Sequence, residues 1–349
     1  MKESESRLAS VDFTRLGAWM LRTGLTGGAI EERTLLAGGT QNIIVRFRSG
    51  SREFVLRKAS DTAHLDADRT IGREARLLGA LSNTCVPHAR LIAACLDRTV
   101  LGGSFYLMEP VDGFNVGLGM PLPHAGDARL RREMGFSLVD GLIALRSVDP
   151  ASAGLADFGR VDGFLERQPH RWRRQLEDYS RYAHWPGARE LPYLDAITSW
   201  LENHIPNGFR PSIIHGDYHI KNVIFRHESP ALAAIVDWEL STIGAPMIDL
   251  GWLVATWRDP GSDDGGSPIV VEPWEGFPTS SELVARYSKF TGDSVAEVPW
   301  YAVLACYKLA VLLEGTFARS CADRADRELG ERFHRNAIRL MERAARWLT

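Results

Sequence analysis

Three polar residues, Asp217, Asn222 and Asp237, have the types and the setting that Mg²⁺-assisted phosphoryl transfer requires. Asp217 and Asn222 lie in the stretch HGDYHIKN, and Asp237 directly follows the apolar run AAIV. A carboxylate can accept a proton from a substrate hydroxyl, while an amide oxygen and a second carboxylate can bind a hard cation. Single Asp and Asn residues in loops are more often turn formers. The combined pattern, HGDxxxxN followed by an apolar strand that ends in Asp, favours a catalytic loop.

Short strands are predicted on both sides of this loop. Apolar residues precede it from Ile213, and the hairpin after it has its second strand at 233–236, so the polar residues fall at strand ends. His215 is expected to hydrogen-bond the loop backbone and hold Asp217 in place. His215 and His219 have the spacing of metal ligands on a helix, but Gly216 and the strand-like flanks argue against a helix here.

The N-terminal part of the chain is predicted to contain most of the remaining strands. A helix starts near Asp12, where apolar residues recur at helical spacing. Three strand-like runs then form an antiparallel meander, because short turn-forming segments join them. A helix that carries Glu74 and a further strand pair complete this part. The predicted strands are 32–36, 43–47, 53–58, 89–95 and 104–108, and the predicted helix is 70–81.

Beyond residue 113 the chain is predicted to be mostly helical. Apolar residues recur at the spacing of a helix with one buried face. The predicted helices are 129–146, 164–182, 193–204, 249–256, 280–291, 299–319 and 327–348. We therefore predict an α+β fold of two lobes with a cleft at the connector: a small antiparallel β lobe with one main helix at 1–110, and a larger, mostly helical lobe at 111–349.

The overall composition excludes several classes of partner. The 349 residues include 45% apolar and 24% charged residues, and the formal net charge is −3, which gives no electrostatic reason to expect nucleic acid or an acidic membrane. The four cysteines form no CxxC pair, so reduced thiols are expected. The N-terminus lacks the apolar core of a signal peptide, and the apolar run 301–313 is short for a membrane span and contains Lys308. We predict a cytoplasmic protein, a monomer or, through an apolar C-terminal helix, a homodimer.

The motifs resemble those of a known family. HGDYHIKN and IVDWE resemble the catalytic loop and the metal-binding motif of the aminoglycoside phosphotransferase and choline kinase relatives, which share the protein-kinase fold. LAGGTQNIIVRF, FVLRK, FYLMEPVDG, GFLERQPHRW and WELSTIGAPMIDLGWL fit in order, and the last three resemble the subgroup of kinase-like domains fused to acyl-CoA dehydrogenases. The resemblance implies ATP as phosphate donor, Asp217 as catalytic base, Asn222 and Asp237 as Mg²⁺ ligands, and Asp249 as a brace for the loop.

The resemblance also implies where the phosphates of ATP bind. Two adjacent glycines between the first two predicted strands allow backbone N–H groups to approach a phosphate closely. In the third strand, the family's phosphate-binding lysine aligns with Arg57, whose guanidinium can do the same electrostatic job. Glu74 is its expected partner, and a strand bulge would bring Lys58 there instead. The implied nucleotide-binding residues of this part are Gly38, Gly39, Thr40, Arg57 and Glu74.

The stretch 105–111 resembles the hinge between the two lobes. By resemblance, the Glu109 carbonyl and the Val111 N–H would bond the adenine edge, with Met108 lining the pocket behind. The alternative is a buried strand followed by a proline turn.

The function that follows is an ATP- and Mg²⁺-dependent phosphotransferase that transfers the γ-phosphate to a hydroxyl of a small molecule. A catalytically inactive nucleotide-binding or regulatory protein of the same fold is the alternative. A protein kinase is disfavoured, because the loop is HGD rather than HRD and neither DFG nor APE is present.

The sequence leaves the acceptor open. An aminoglycoside would need an acidic pocket, and choline would need an aromatic cage with carboxylates nearby. The arginines at 167–174 suit an anionic or CoA-linked acceptor, or form a solvated helix face. Arg167 and Gln168 belong either to the scaffold or to the substrate pocket. Glu314 and Arg319 either line the acceptor site or form internal ion pairs.

Overall fold

A computed structural model of the chain describes residues 7–25, 28–36, 42–59, 65–259 and 269–348. The chain divides into two compact units. Unit 1 comprises Met1–Gly113, Ala153–Leu155 and Ala233–Glu239, and unit 2 comprises Phe114–Ser152, Ala156–Leu232 and Leu240–Thr349. The sequence predicts one boundary near residue 110, whereas the chain returns to unit 1 twice. The second return brings Asp237 into unit 1.

Unit 1 contains a five-stranded antiparallel sheet with the order β1-β2-β3-β5-β4. The predicted meander of the first three strands is confirmed. The further strand pair is part of the same sheet, because β5 pairs with β3 as well as with β4. The strands are β1 Ile30–Leu35, β2 Asn42–Ser49, β3 Arg52–Ala59, β4 Leu91–Cys95 and β5 Phe105–Met108.

Helix α1 (Phe13–Arg22) packs its apolar side into the core of unit 1. The Asp12 side chain caps this helix by accepting from the Arg15 N–H at 3.0 Å. Trp19 packs edge-on against Phe105 of β5, with ring centroids 4.9 Å apart. The short helix α3 (Arg98–Leu101) adds Val100 and Leu101 to the same cluster.

Helix α2 (Leu65–Leu81) contacts β3, β4 and β5. It begins five residues earlier than the predicted helix, because the polar stretch before Thr70 has no apolar periodicity to reveal it. Ile71, Leu77 and Leu78 are buried, and so is Glu74. A buried carboxylate needs a hydrogen-bond or ion-pair partner, and Glu74 has one in Arg57 of β3.

Unit 2 is built mainly of helices, as the sequence predicts. The predicted helix at 164–182 is shorter in the structure, where α6 ends at Glu177 and a 3₁₀ turn follows at Asp178–Arg181. The helices are α4 Leu122–Gly126, α5 Ala128–Ser147, α6 Arg167–Glu177, α7 Leu194–Asn203, α8 Met247–Thr256, α9 Ser280–Thr291, α10 Val298–Cys321 and α11 Arg327–Ala345.

The strands that flank the candidate catalytic loop are short. They are β6 Ser212–Ile214, β7 Val223–Phe225, β8 Leu232–Ile235 and β9 Thr242–Gly244. β6 pairs antiparallel with β9, a strand that the sequence pattern does not predict. Three residues give too little alternation of apolar and polar positions to identify such a strand from sequence.

The long helix α10 is the centre of the unit 2 core. It packs against α6, α7, α8 and α11, and its residues from Tyr301 to Tyr307 are buried. Gly251 of α8 allows the two backbones to approach closely, because a Cβ there would lie 2.5 Å from the Tyr301 Cβ. By length and apolar composition alone, α10 could cross a membrane. However, 67% of its 18-residue apolar stretch is buried inside the protein, and buried core helices can have the same length and composition.

Candidate active site

Asp217 and Asn222 meet in the loop between β6 and β7 of unit 2. The Asn222 amide nitrogen donates to the backbone carbonyl of Asp217 and to its carboxylate Oδ2, each at 3.0 Å. His219 Nε2 lies 3.5 Å from the other carboxylate oxygen, and 29% of the Asp217 side chain is exposed. Because the amide nitrogen of Asn222 is used within the loop, its amide oxygen is the group left for a cation.

The loop is held by the buried carboxylate of Asp249 in the first turn of α8. It accepts from the N–H groups of His215 at 2.6 Å and Gly216 at 2.8 Å. The Asp217 N–H lies 3.3 Å from His215 Nδ1, which accepts from it. Burial raises the pKa of Asp249 to about 6, against the two N–H donors and Lys308, which favour its charged form. The predicted bracing contacts of Asp249 and His215 are therefore confirmed.

Gly216 is required at its position. Its φ is +84°, and a Cβ would lie 2.6 Å from the Leu240 carbonyl oxygen. Both the left-handed conformation and the close approach exclude a larger residue. Asp217 thus follows a turn that only glycine forms without strain.

Lys308 of α10 holds the loop from the other side. Its ammonium donates to the Gly216 carbonyl at 2.6 Å and lies 4.4 Å from the Trp252 ring centroid and 5.5 Å from that of Trp172. Burial lowers the pKa of Lys308 to about 8, although Asp217 and Asp249 favour the charged form. In the sequence, Lys308 argues only against a membrane span. The signal it offered was a single lysine within an otherwise apolar helical run.

In unit 1, Arg57 of β3 lies between carboxylates. Its Nε lies 2.8 Å from Glu74 Oε2, and its Nη2 donates to Glu74 Oε1 at 2.8 Å and to Asp237 Oδ1 at 3.2 Å. The Tyr106 hydroxyl donates to Glu74 Oε2 at 2.8 Å. Burial raises the pKa of Glu74, and the charge of Arg57 offsets part of that increase. The buried Arg57–Glu74 pair therefore orients the Arg57 guanidinium toward Asp237.

Lys58, the other candidate for a phosphate contact, is fully buried. Its neighbours in the strand, Arg57 and Ala59, project to the opposite face, since side chains alternate along a strand. The structure thus places Arg57, and not Lys58, on the face of Glu74. A contact of either residue with phosphate stays a prediction.

Asp237 has an unusual backbone conformation. Its φ is +66°, in the left-handed region that few residues other than glycine adopt without cost. The Trp238 indole N–H donates to the Ile235 carbonyl at 3.1 Å and closes the turn around it. The side chain is 41% exposed, with one oxygen on Arg57. The turn thus presents a carboxylate at the surface of unit 1.

The remaining predicted nucleotide contacts lie partly outside the described residues. Gly38, Gly39 and Thr40 fall there. Met108 ends β5, and the next residue, Glu109, donates its N–H to the Arg90 carbonyl at 2.9 Å. Met108 and Val111 are partly buried, and Glu109 is exposed. The roles of these residues toward adenine stay predictions.

Within the described ranges, no group of three or more His, Cys, Asp and Glu side chains could hold a metal. Proteins often bind Mg²⁺ through one or two carboxylates, while substrate phosphates and water complete its shell. The Asn222 amide oxygen and the partly exposed Asp237 carboxylate are oxygen donors of the kind that Mg²⁺ takes. Asn222 of unit 2 and Asp237 of unit 1 each carry an oxygen donor that suits the predicted Mg²⁺.

The sequence leaves open whether Arg167, Gln168 and Glu314 belong to the scaffold or to the acceptor site, and all three make hydrogen bonds within unit 2. Gln168 donates to the Phe164 carbonyl at 3.0 Å and accepts from the Trp172 indole at 3.3 Å, while Arg167 donates to the Arg160 carbonyl. Glu314 is buried and accepts from Trp185 and from His334, each at 2.8 Å. Internal pairing therefore accounts for Glu314.

Residues 32–268, more than half of the chain, match the sequence model of the phosphotransferase enzyme family APH. The chain belongs to this family. The family match extends from β1 to beyond α8, so it includes the candidate catalytic loop, Arg57, Glu74 and Asp237.

Curated relatives confirm the similarity to one subgroup. The chain is 29% identical over 322 residues to acyl-CoA dehydrogenase family member 11 of Gallus gallus, covering 90% of this chain and 40% of that protein. It is 28% identical over 295 residues to acyl-CoA dehydrogenase family member 10 of Mus musculus, covering 82% and 26% respectively. The chain thus spans less than half the length of these relatives.

Solved structures of aminoglycoside phosphotransferases share the fold. A putative aminoglycoside phosphotransferase from Ralstonia eutropha is 26% identical, with a TM-score of 0.76 and coverage of 96% of this chain and 99% of that one. A thermostable mutant of aminoglycoside phosphotransferase APH(4)-Ia, solved in complex with ADP and hygromycin B, is 14% identical, with a TM-score of 0.52 and coverage of 91% of this chain and 97% of that one. The predicted α+β protein-kinase-like fold is confirmed.

Proposed function

We propose that this protein is an ATP- and Mg²⁺-dependent kinase that phosphorylates a hydroxyl group of a small molecule. The observation that carries the proposal is the Asp217–Asn222 hydrogen bond in a loop held by Asp249 and Lys308. Such anchoring would keep a partly exposed carboxylate in one orientation, which a general base requires. Membership of the phosphotransferase family supports the same reaction class.

Each residue has a proposed role. Asp217 accepts the proton of the acceptor hydroxyl, so that the hydroxyl oxygen can attack the γ-phosphorus of ATP while the bond to the β,γ-bridging oxygen breaks and ADP leaves. Asn222 and Asp237 hold Mg²⁺, which when bound neutralises the charge that develops on the phosphates. Arg57, fixed by Glu74, holds Asp237 in orientation and adds positive charge beside it. The proposed nucleotide contacts are Gly38, Gly39, Thr40, Arg57, Met108, Glu109 and Val111.

The length of the relatives limits what is proposed for this chain. The acyl-CoA dehydrogenase relatives are more than twice as long as the region they share with this chain. We therefore propose only phosphoryl transfer for this chain. The APH(4)-Ia complex contains ADP and hygromycin B, and ADP is the product expected of an ATP-dependent kinase.

We further propose that the protein is cytoplasmic, which cell fractionation would test. We also propose that it is a monomer or a homodimer, which light scattering would test.

The test is an ATP-consumption screen with purified protein and Mg²⁺ against hydroxylated metabolites, hydroxyacyl-CoAs, choline and aminoglycosides. Asp217→Asn should lower turnover of any acceptor about 10²- to 10⁴-fold, the usual contribution of a general base. The control is Glu228→Gln, a change at an exposed acidic residue in the turn between β7 and β8, which should leave turnover unchanged.

Two outcomes would contradict the proposal. Equal turnover by Asp217→Asn and the parent would remove Asp217 as base. Binding of ATP without turnover across the whole panel would favour the inactive nucleotide-binding protein of the same fold.

A further inference from the structure

A cavity of about 100 Å³ lies in unit 2 beside the candidate catalytic loop. Gly216, the residue before Asp217, forms part of its wall. The other walls come from α6, α8, α10, β6 and β9 and from the loops that carry Phe164 and Leu240, and their aromatic side chains are Phe164, Trp172, Trp252 and Tyr301. This volume is a few times the roughly 30 Å³ that one water occupies in the liquid, so it accommodates one end of a small molecule.

The described lining of the cavity has two charged side chains, and both are cationic. Lys308 and Arg171 line the cavity, and among its described lining residues there is no Asp or Glu. The two charges are close enough that Arg171 opposes protonation of Lys308. Arg171 lies over the Trp172 ring, with its guanidinium carbon 5.0 Å from the centroid. Two like charges on one small cavity favour an anion between them.

Two side chains of this wall, Lys308 and Trp252, carry hydrogen-bond donors. The Lys308 ammonium carries three protons, and the hydrogen bond to the Gly216 carbonyl uses one of them. The Trp252 indole N–H is buried and has no hydrogen-bond partner among the described residues. Buried donors are normally paired, so the Trp252 N–H and the remaining Lys308 protons suit an acceptor that a ligand supplies.

The carboxylates near Lys308 are committed elsewhere. Asp249 accepts from two backbone N–H groups, and Asp217 contacts Asn222 and His219. They favour the charged form of Lys308 without occupying the cavity.

We propose that this cavity is an oxyanion subsite, in which Lys308 and Arg171 bind a carboxylate or phosphate group of the acceptor while its hydroxyl lies at Asp217. The inference rests on the proposed kinase function and adds the charge of the acceptor to it. The aromatic walls hold the short carbon chain next to the anion. A polycationic acceptor is disfavoured, because its ammonium groups would meet two like charges here.

The test compares acceptors of one carbon skeleton that differ only in charge. A short ω-hydroxy carboxylate, the corresponding hydroxyalkyl phosphate, the neutral hydroxy amide and the amino alcohol are assayed with Mg²⁺ and ATP. We expect kcat/KM to be at least about 10-fold higher for one of the two anions than for the amide, as a charge-assisted hydrogen bond provides. Which anion is preferred distinguishes a carboxylate ligand from a phosphate ligand.

Arg171→Gln is the informative variant, because Lys308 also holds the loop. It should raise KM for the preferred anion about 10-fold and so lower the ratio of kcat/KM for the anion to kcat/KM for the neutral amide. Arg174→Gln is the matched control, an exposed arginine on the same helix that does not line the cavity. Lys308→Met should lose the anion preference as well, with the fold checked by circular dichroism.

A binding measurement separates the two proposals. Each of the two anions, the hydroxy carboxylate and the hydroxyalkyl phosphate, is titrated into Asp217→Asn, with and without Arg171→Gln, and tryptophan fluorescence is followed, since Trp172 and Trp252 line the cavity. Saturable quenching that Arg171→Gln weakens, without turnover by the parent, would retain the subsite and contradict the kinase. Turnover of neutral, cationic and anionic acceptors at equal kcat/KM, unaffected by Arg171→Gln, would overturn the subsite and retain the kinase.

Discussion

Asp249 keeps a carboxylate in the interior of unit 2 because two backbone N–H groups bind it. Burial nevertheless raises its pKa from 3.8 to about 6. The folded protein therefore binds this proton more tightly than the unfolded chain does between these two values. The stabilisation that comes from the protonated form is fully present below about pH 4, and it is lost as the pH rises through about 6.

Asp249→Asn should remove this pH dependence. Relative to the variant, the parent should lose free energy of unfolding as the pH rises from 4 to 6, by up to about 1.4 kcal/mol per pH unit. The variant should be less stable at pH 7, because one amide oxygen replaces two carboxylate oxygens as acceptor. Urea unfolding at several pH values measures both effects. Parallel pH profiles of parent and variant would show that Asp249 does not titrate in this range.

Glu74 and Glu53 provide a matched pair of acidic residues in unit 1. Glu74 neutralises the buried Arg57, whereas Glu53 pairs with Arg46 at a surface where both side chains are over 40% exposed. Glu74→Gln leaves a buried cation short of a partner, which costs about 3–5 kcal/mol. Glu53→Gln should cost at most about 1 kcal/mol, as is usual for exposed ion pairs.

Denaturant unfolding of the two glutamine variants measures this difference. Because Arg57 also contacts Asp237, Glu74→Gln should raise KM for ATP, and Glu53→Gln should not. Similar stability of the two variants would show that the Arg57–Glu74 pair is not needed for the fold of unit 1.

At the scale of elements, the contact between α8 and α10 connects the core of unit 2 to the catalytic loop. α8 carries Asp249, α10 carries Lys308, and both contact the loop at Gly216. The two helices approach at Gly251, where a Cβ would meet the backbone and Cβ of Tyr301 at 2.5–2.8 Å. Any separation of these helices would displace the groups that hold Asp217.

Gly251→Ala should therefore reduce both stability and turnover. Overpacking of this kind costs about 1–3 kcal/mol. Gly126→Ala is the control, because a Cβ there meets nothing within 4 Å. Thermal unfolding and kcat are measured for both variants. If Gly251→Ala lowered the melting temperature without changing kcat, the helix contact would support the fold but would not position the loop.

At the scale of the whole molecule, nucleotide binding should stabilise the protein. A ligand that binds only the folded chain adds about 2.7 kcal/mol at a hundred times its Kd. The melting temperature should therefore rise with ATP, and rise further when Mg²⁺ is present. Asp237→Asn should remove the Mg²⁺-dependent part, because its amide keeps an oxygen but loses the charge. An equal increase in parent and variant would argue against Asp237 as a metal ligand.

Local chemistry in the sequence predicts much of this fold, and non-local contacts account for what it does not predict. Asp217, Asn222 and Asp237 stand out because polar residues follow apolar strands in a recognisable order. The strand pairing of β6 with β9 and the close contact of Lys308 with Gly216 join residues far apart in the chain, so no local pattern indicates them. The unpaired indole N–H of Trp252 is likewise a property of the packed interior.

The left-handed backbone of Asp237 has a consequence for how such a protein changes over generations. Glycine relieves the conformational cost at this position, which is about 1–3 kcal/mol for other residues. A single base change converts an aspartate codon into a glycine codon, so one mutation removes both the backbone strain and the carboxylate that contacts Arg57. Selection for folding alone would favour that exchange where the relief of strain exceeds the loss of this ion pair. The aspartate is retained only while its chemistry is under selection, and inert relatives should tend to carry glycine here.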